Sequence, residues 1–244
     1  MVIIPIILLG WIAGWLVNYL TDVLPTTRRF SRPTCPNCHT PFRWLDYLLL
    51  GNCRSCGHKR GLRTLAVQAA LTIVPVLLWI FPRRALPFPL AFGLIIYLAI
   101  VMVIDLEHRL VLHPISLFGA LLGLGIGIYL HGFLSTLIGG VVGFGIMFLF
   151  YYAGQWYVRW MAKRRGMSAD EVALGFGDVN LSGIMGLLLG WPAIIEGLFF
   201  AILVGGVVSL GIILVTLALK RYRAFTAIPY APFLILSAFL LYLH

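Results

Sequence analysis

The stretch Leu90–Asp105 (LAFGLIIYLAIVMVID) decides the fold. It carries no charge from Leu90 to Ile104 and then ends on a carboxylate. A helix needs about 20 apolar residues to cross a bilayer, and runs of this kind recur along the chain. Eight helices are predicted, at roughly 2–24, 64–81, 88–106, 110–130, 134–158, 179–191, 193–219 and 226–243. The composition agrees: 61% of residues are hydrophobic, 11% are charged, and the mean hydropathy is +1.00. Soluble domains carry about 25% charged residues. The expected fold class is therefore all-α: a polytopic membrane protein of about eight transmembrane helices with one small polar insert. Val2–Leu20 lacks a basic leader and a small-residue cleavage site, so it reads as a retained helix. The 179–191 segment is short, and its start is expected to reach back into the glycine-rich stretch before it.

Charge distribution predicts orientation. With residues 25–63 in the cytoplasm, that side receives all of the 18 Lys and Arg except Arg83 and Arg84. This satisfies the positive-inside rule, with both termini on the outer face. A pI near 9.9 would suit nucleic acid, but the basic residues sit in loops as orientation signals do. Nucleic acid is thus not an expected partner, whereas membrane lipid is. The expected organisation is a first helix over 1–24, a cytoplasmic insert over 25–63 and a membrane core over 64–244. Glycines four apart (Gly10 and Gly14; Gly119, Gly123 and Gly127; Gly139 and Gly143) predict close helix packing.

All 4 cysteines lie in the insert, as Cys35-Pro-Asn-Cys38 and Cys53-Arg-Ser-Cys56. Two such pairs can give four thiolates to one tetrahedral zinc, and a closed shell of four makes it structural rather than catalytic. Disulfides are the alternative, which a reducing cytoplasm disfavours. An insert this small cannot build much of a core, so metal binding would supply folding energy.

Carboxylates are scarce, 8 in all, and those at membrane depth are functional by default. Asp105 ends one apolar run. Asp178 stands in Gly175-Phe176-Gly177-Asp178 at the mouth of another, and the predicted topology puts both at the cytoplasmic level. Two aspartates on separate helices suit aspartic proteolysis, in which one ionised and one protonated carboxyl act on water and the scissile carbonyl. Gly175 and Gly177 would permit an unusual backbone and the close approach of substrate. Asp22, with Asn18 one turn before it, is a further candidate for lining the site. Asp46 is expected to pair with nearby arginines, and Asp170-Glu171 to start a helix.

At these residues the chain resembles the type IV prepilin peptidases, membrane aspartic proteases with a Gly-x-Gly-Asp motif. Gly175–Leu181 is similar to the family's second aspartate motif, and Ile104-Asp105 followed by His113-Pro114 to its first. The cysteine pairs, Gly10…Asn18…Pro25 and Pro229-Tyr-Ala-Pro-Phe233 are similar to its other motifs. The resemblance implies cleavage of the short basic leader from type IV prepilin or pseudopilin precursors, at the cytoplasmic face of the bacterial inner membrane. It also raises N-methylation of the new N-terminus with S-adenosylmethionine. That second activity stays open, because no glycine-rich methyltransferase fingerprint follows a strand here, and the family's Gly-Ser is Gly14-Trp15. Two alternatives remain: a related protease acting on other signal-anchor proteins, and a non-enzymatic scaffold whose zinc insert docks an assembly partner.

Overall fold

The computed structural model describes residues 3–81, 86–165, 175–219 and 229–243. Asp170-Glu171, Arg83, Arg84 and the basic residues of 220–225 lie outside them. Among the described residues the chain is helical, without a strand, and eight of the helices are apolar. Six are long and apolar enough to cross a membrane, namely α1 (Ile3–Thr27), α3 (Leu62–Ile80), α4 (Phe88–His108), α5 (His113–His131), α6 (Phe133–Arg165) and α8 (Ala193–Ala218). The shorter two are α7 (Phe176–Leu189) and α9 (Ala231–Leu243). The ninth, α2 (Trp44–Leu48), is a single turn inside the insert that the hydropathy pattern did not predict. The all-α, membrane-spanning reading therefore stands.

Helix ends depart from the predicted ones for local reasons. α6 runs on past its apolar stretch to Arg165. There Arg159 donates to Gln155 (3.1 Å), and the Arg164 guanidinium lies 4.0 Å over the Trp160 ring, so i,i+4 pairs sustain the last turns. α7 begins at Phe176, back in the glycine-rich stretch as expected. α9 begins at Ala231, and Pro232 is tolerated because first-turn N–H groups need no intrahelical acceptor.

The chain forms two compact units, Met1–Ile104 and Asp105–His244. In the first, α1 packs on α3. A Cβ at Gly10 would meet Thr72 Cα at 2.9 Å, and one at Gly14 would meet the Gln68 amide at 2.8 Å. Asn18 donates to the Thr64 carbonyl (3.2 Å), and Gln68 donates to the Trp11 carbonyl (2.8 Å). Such bonds average only about 0.6 kcal/mol in membrane bundles, so the close approach at the glycines matters more for holding this pair.

In the second unit α7 is the central helix, packed by α5, α6, α8 and α9. Gly123 and Gly127 of α5 face the carbonyls of Ile184 and Leu187, and Gly139 and Gly143 of α6 face those of Gly186 and Ser182. The glycine spacing is therefore packing, as predicted, and it buries both faces of a helix only 14 residues long.

Candidate functional site

Asp178 occupies the first turn of α7, three residues after the N-cap Gly175, and its own N–H donates to the Gly175 carbonyl (3.1 Å). The carboxylate is buried. Gly177 is glycine for a packing reason: a Cβ there would lie 2.7 Å from Val111 of the loop between α4 and α5. A Cβ at Gly175 would lie 3.4 Å from the Asp178 carboxylate.

Asp105, also buried, sits near the end of α4. Among the described residues it forms no ion pair with Arg109, although the Arg109 charge acts on it. Its Oδ2 instead accepts from the Ala231 backbone N–H at 3.1 Å. Ala231 opens α9, so its N–H is one of the donors that a helix start leaves without an intrahelical partner. Asp178 lies in the first turn of α7, and the Asp105 carboxylate, although carried by the last turn of α4, meets the first N–H of α9, so each carboxylate is at a helix N-terminus where the macrodipole favours negative charge. The two are close enough for the Asp105 charge to act on Asp178. Tyr230 completes the group. Its hydroxyl is buried without a hydrogen-bond partner, and the Asp178 charge reaches it. Sequence reasoning quoted Pro229-Tyr-Ala-Pro-Phe233 but assigned Tyr230 and Ala231 no place at the site. The available signal was Pro232, which suits a helix's first turn and so marks Ala231 as a residue whose N–H has no intrahelical acceptor.

Asn18 and Asp22 belong to the first unit. Asn18 is buried between α1 and α3. Asp22 joins three elements there: it accepts from the Tyr47 hydroxyl at 2.5 Å, from Arg60 at 3.4 Å and, at very short range, from Arg63. Arg63 also donates to Thr21 (2.9 Å). The Arg60 guanidinium lies 3.9 Å over the Tyr47 ring and 4.7 Å over Phe42. Burial, and then the Asp22 charge, push the Tyr47 phenol above its ordinary range. Asp46 pairs with Arg54 at 2.7 Å, as expected.

The four cysteine sulfurs all lie within 4.8 Å of one another. Cys35 and Cys56 Sγ are 3.7 Å apart, and Cys38 and Cys53 Sγ 3.6 Å, far beyond the roughly 2.05 Å of a disulfide. Tetrahedral zinc with Zn–S near 2.3 Å puts its sulfurs roughly 3.8 Å apart, so this donor set fits one such ion. Both knuckles fold alike. His39 and Gly57 donate to the Cys35 and Cys53 carbonyls (2.9 and 2.8 Å) with φ of 57° and 68°. In return the Cys35 and Cys53 N–H groups bond to the Thr40 and His58 carbonyls (2.9 and 3.0 Å). The Cys56 backbone N–H and then the Thr40 hydroxyl lower the Cys53 thiol to about 6, toward the thiolate that binds metal.

Known proteins resemble this chain in sequence. The model of the type IV leader peptidase family matches residues 92–210, a span that holds Asp105 and Asp178. A prepilin leader peptidase/N-methyltransferase of Burkholderia pseudomallei (strain 1026b) is 30% identical over 226 residues, covering 87% of this chain and 68% of that protein. One from Aeromonas hydrophila is 27% identical over 232 residues, covering 90% and 73%. One from Myxococcus xanthus (strain DK1622) is 27% identical over 225 residues, covering 85% and 62%. No solved structure matches the chain.

Proposed function

The chain belongs to the type IV leader peptidase family, and from that premise we propose that it is a membrane aspartic endopeptidase that cleaves the basic leader of type IV prepilin or pseudopilin precursors. One observation carries the reading. Two carboxylates from α4 and α7 are buried in the same unit, Asp105 held by the Ala231 N–H at the start of α9 and its charge reaching Asp178.

The chemistry follows from sharing one proton across such a pair. The ionised carboxyl takes a proton from water as the water oxygen attacks the scissile carbonyl carbon. The protonated carboxyl gives its proton to the carbonyl oxygen. Collapse of the tetrahedral intermediate then breaks the C–N bond, and the leaving amine takes up a proton from the dyad. Protonation belongs to the pair, so neither aspartate is assigned one fixed role. Ala231 N–H orients Asp105, and the unpartnered Tyr230 hydroxyl is available to the developing oxyanion. At the α7 start only Gly175 leaves space beside the Asp178 carboxylate for an approaching substrate strand; Gly177 is closed by Val111, and neither glycine has the unusual backbone that the sequence suggested.

The four cysteines would hold zinc, fastening the insert without an open coordination position for water. The chain is a multi-pass inner-membrane protein. The basic loops support an orientation with the insert and the dyad on the cytoplasmic face and both termini outside. By sequence the chain divides into a first helix (1–24), insert (25–63) and protease core (64–244), with α3 of that core packed on α1. The printed names of the relatives pair peptidase with N-methyltransferase, and we extend the second activity, with S-adenosylmethionine as donor, to the same assay.

In that assay purified protein in detergent receives a prepilin with its leader, and mass spectrometry locates the cut and any methyl mass. Asp105→Asn and Asp178→Asn are each expected to lower kcat by at least about 10³-fold while the melting profile is kept. Tyr230→Phe is expected to lower kcat about 10²-fold with KM little changed. Cleavage by Asp178→Asn at the wild-type rate would sink the dyad.

A further inference from the structure

We propose that α2 and the turn after it form a lipid-binding surface that seats the four-cysteine insert within the membrane interface, against an anionic phospholipid leaflet.

α1 provides a depth scale. It is uncharged from Ile3 to Thr21 and meets its first charge at Asp22. At 1.5 Å per residue that stretch is about 28 Å long, close to the roughly 30 Å of a bilayer's hydrocarbon core. Asp22, with Arg60 and Arg63 gathered on it, therefore marks the headgroup boundary. Tyr19 lies about 4–5 Å on the hydrocarbon side of that boundary and Trp15 about 10 Å.

The insert folds back to this depth. The Trp44 ring of α2 packs 5.8 Å from Tyr19 and 6.2 Å from Trp15, centroid to centroid. The Tyr19 hydroxyl donates to the Ser31 carbonyl at 2.9 Å, so the chain after α1 turns down as well. α2 thus lies at the depth where interfacial helices bury their apolar face, about 5–10 Å into the headgroup and acyl boundary. Trp and Tyr are the residues that favour this level.

The outward face of α2 suits lipid and not water. Leu45 is 71% and Leu49 77% exposed, one helical turn apart, and Trp44 is 41% exposed beside them. A soluble partner would have to displace lipid to reach side chains at this depth. Arg43 directly precedes Trp44, and the segment after α1 carries exposed Arg28, Arg29 and Arg32; none of the four pairs with a carboxylate among the described residues. Unpaired guanidinium groups at the headgroup level call for phosphate, and they favour anionic lipids over zwitterionic ones. The metal cluster shares this setting: buried Cys35 and Cys53 pack with Phe42 and Tyr47 in one small core, which Trp15 and Tyr19 of α1 close from the membrane side.

The test uses the full chain, loaded with zinc, in nanodiscs of mixed phosphatidylcholine and phosphatidylglycerol. Leu45→p-benzoylphenylalanine and Leu49→p-benzoylphenylalanine are irradiated separately and their adducts identified by mass spectrometry, with metal retention checked on each. Lipid adducts at either position are expected, with phosphatidylglycerol enriched at least about twofold above its mole share. Lipid adducts without enrichment would overturn the anionic preference. Adducts to protein alone, or none at both positions, would overturn the lipid surface itself, whatever the outcome of the cleavage assay.

Discussion

Replacing Asp22 by Asn tests whether one carboxylate fastens the insert to the α1–α3 pair. Asp22 is 20% exposed, Arg60 10% and Arg63 29%, so solvent screens these interactions only in part. The substitution keeps the size and one acceptor but removes the charge, stranding the enclosed Arg60 guanidinium without its counter-ion. Deleting one partner of a buried ion pair costs about 3–5 kcal/mol, and a hydrogen bond to a charged group contributes about 1.5–3 kcal/mol. Allowing for the remaining acceptor and the partial exposure, Asp22→Asn should cost about 2–3 kcal/mol. That is roughly 30- to 150-fold in the equilibrium holding the insert, or about 5–10 °C in melting temperature for a chain of this size. The assay is thermal unfolding of the metal-loaded protein in detergent, beside native-state trypsin digestion scored for cuts within residues 25–63. Tyr47→Phe, which deletes one hydrogen bond to the same carboxylate, should cost about 1.5 kcal/mol. Because both changes act on one network, the double variant should lose less than the sum. A melting temperature for Asp22→Asn within about 1 °C of wild type, with unchanged digestion, would refute the reasoning.

Two further outcomes are expected. Chelation of the zinc-loaded protein at neutral pH should release one metal ion and open residues 25–63 to trypsin, and Cys53→Ser should do the same without chelator; native mass spectrometry and peptide mapping read both. Gly177→Ala should destabilise the start of α7 by about 1–3 kcal/mol, because the new Cβ would overlap Val111, and Val111→Ala in the same chain should recover part of the loss in both melting temperature and cleavage rate.

Much of this protein was legible before any tertiary contact was known. Leu90–Ile104 and the other apolar runs announce membrane helices because hydrocarbon selects residues one at a time, independently of their neighbours in space. The cysteine pairs announce a metal cluster because two residues between ligands is a local constraint. The start of α7 back in the glycine-rich stretch, and the glycine pairs at Gly139 and Gly143, followed from the same local rules. By contrast α2 is one turn long and too short for any periodicity to show. The far end of α6 was missed because hydropathy stops where the apolar residues stop, whereas Arg164 on Trp160 carries the helix further.

Sequence alone thus determined the class of fold, the insert with its four sulfurs, and Asp105 and Asp178 as carboxylates that demand a reason. Tertiary structure alone decided their company: the Ala231 N–H, 126 residues from Asp105, and the buried Tyr230 hydroxyl, which the Asp178 charge reaches. It also decided that Asp22 binds Tyr47, Arg60 and Arg63, and that Trp44 folds back onto the middle of α1. The reason is physical. A helix bathed in lipid is apolar on every side, so its sequence does not say which face meets which neighbour. That choice is made where small residues let particular backbones close together, as Gly123, Gly127, Gly139 and Gly143 do around α7.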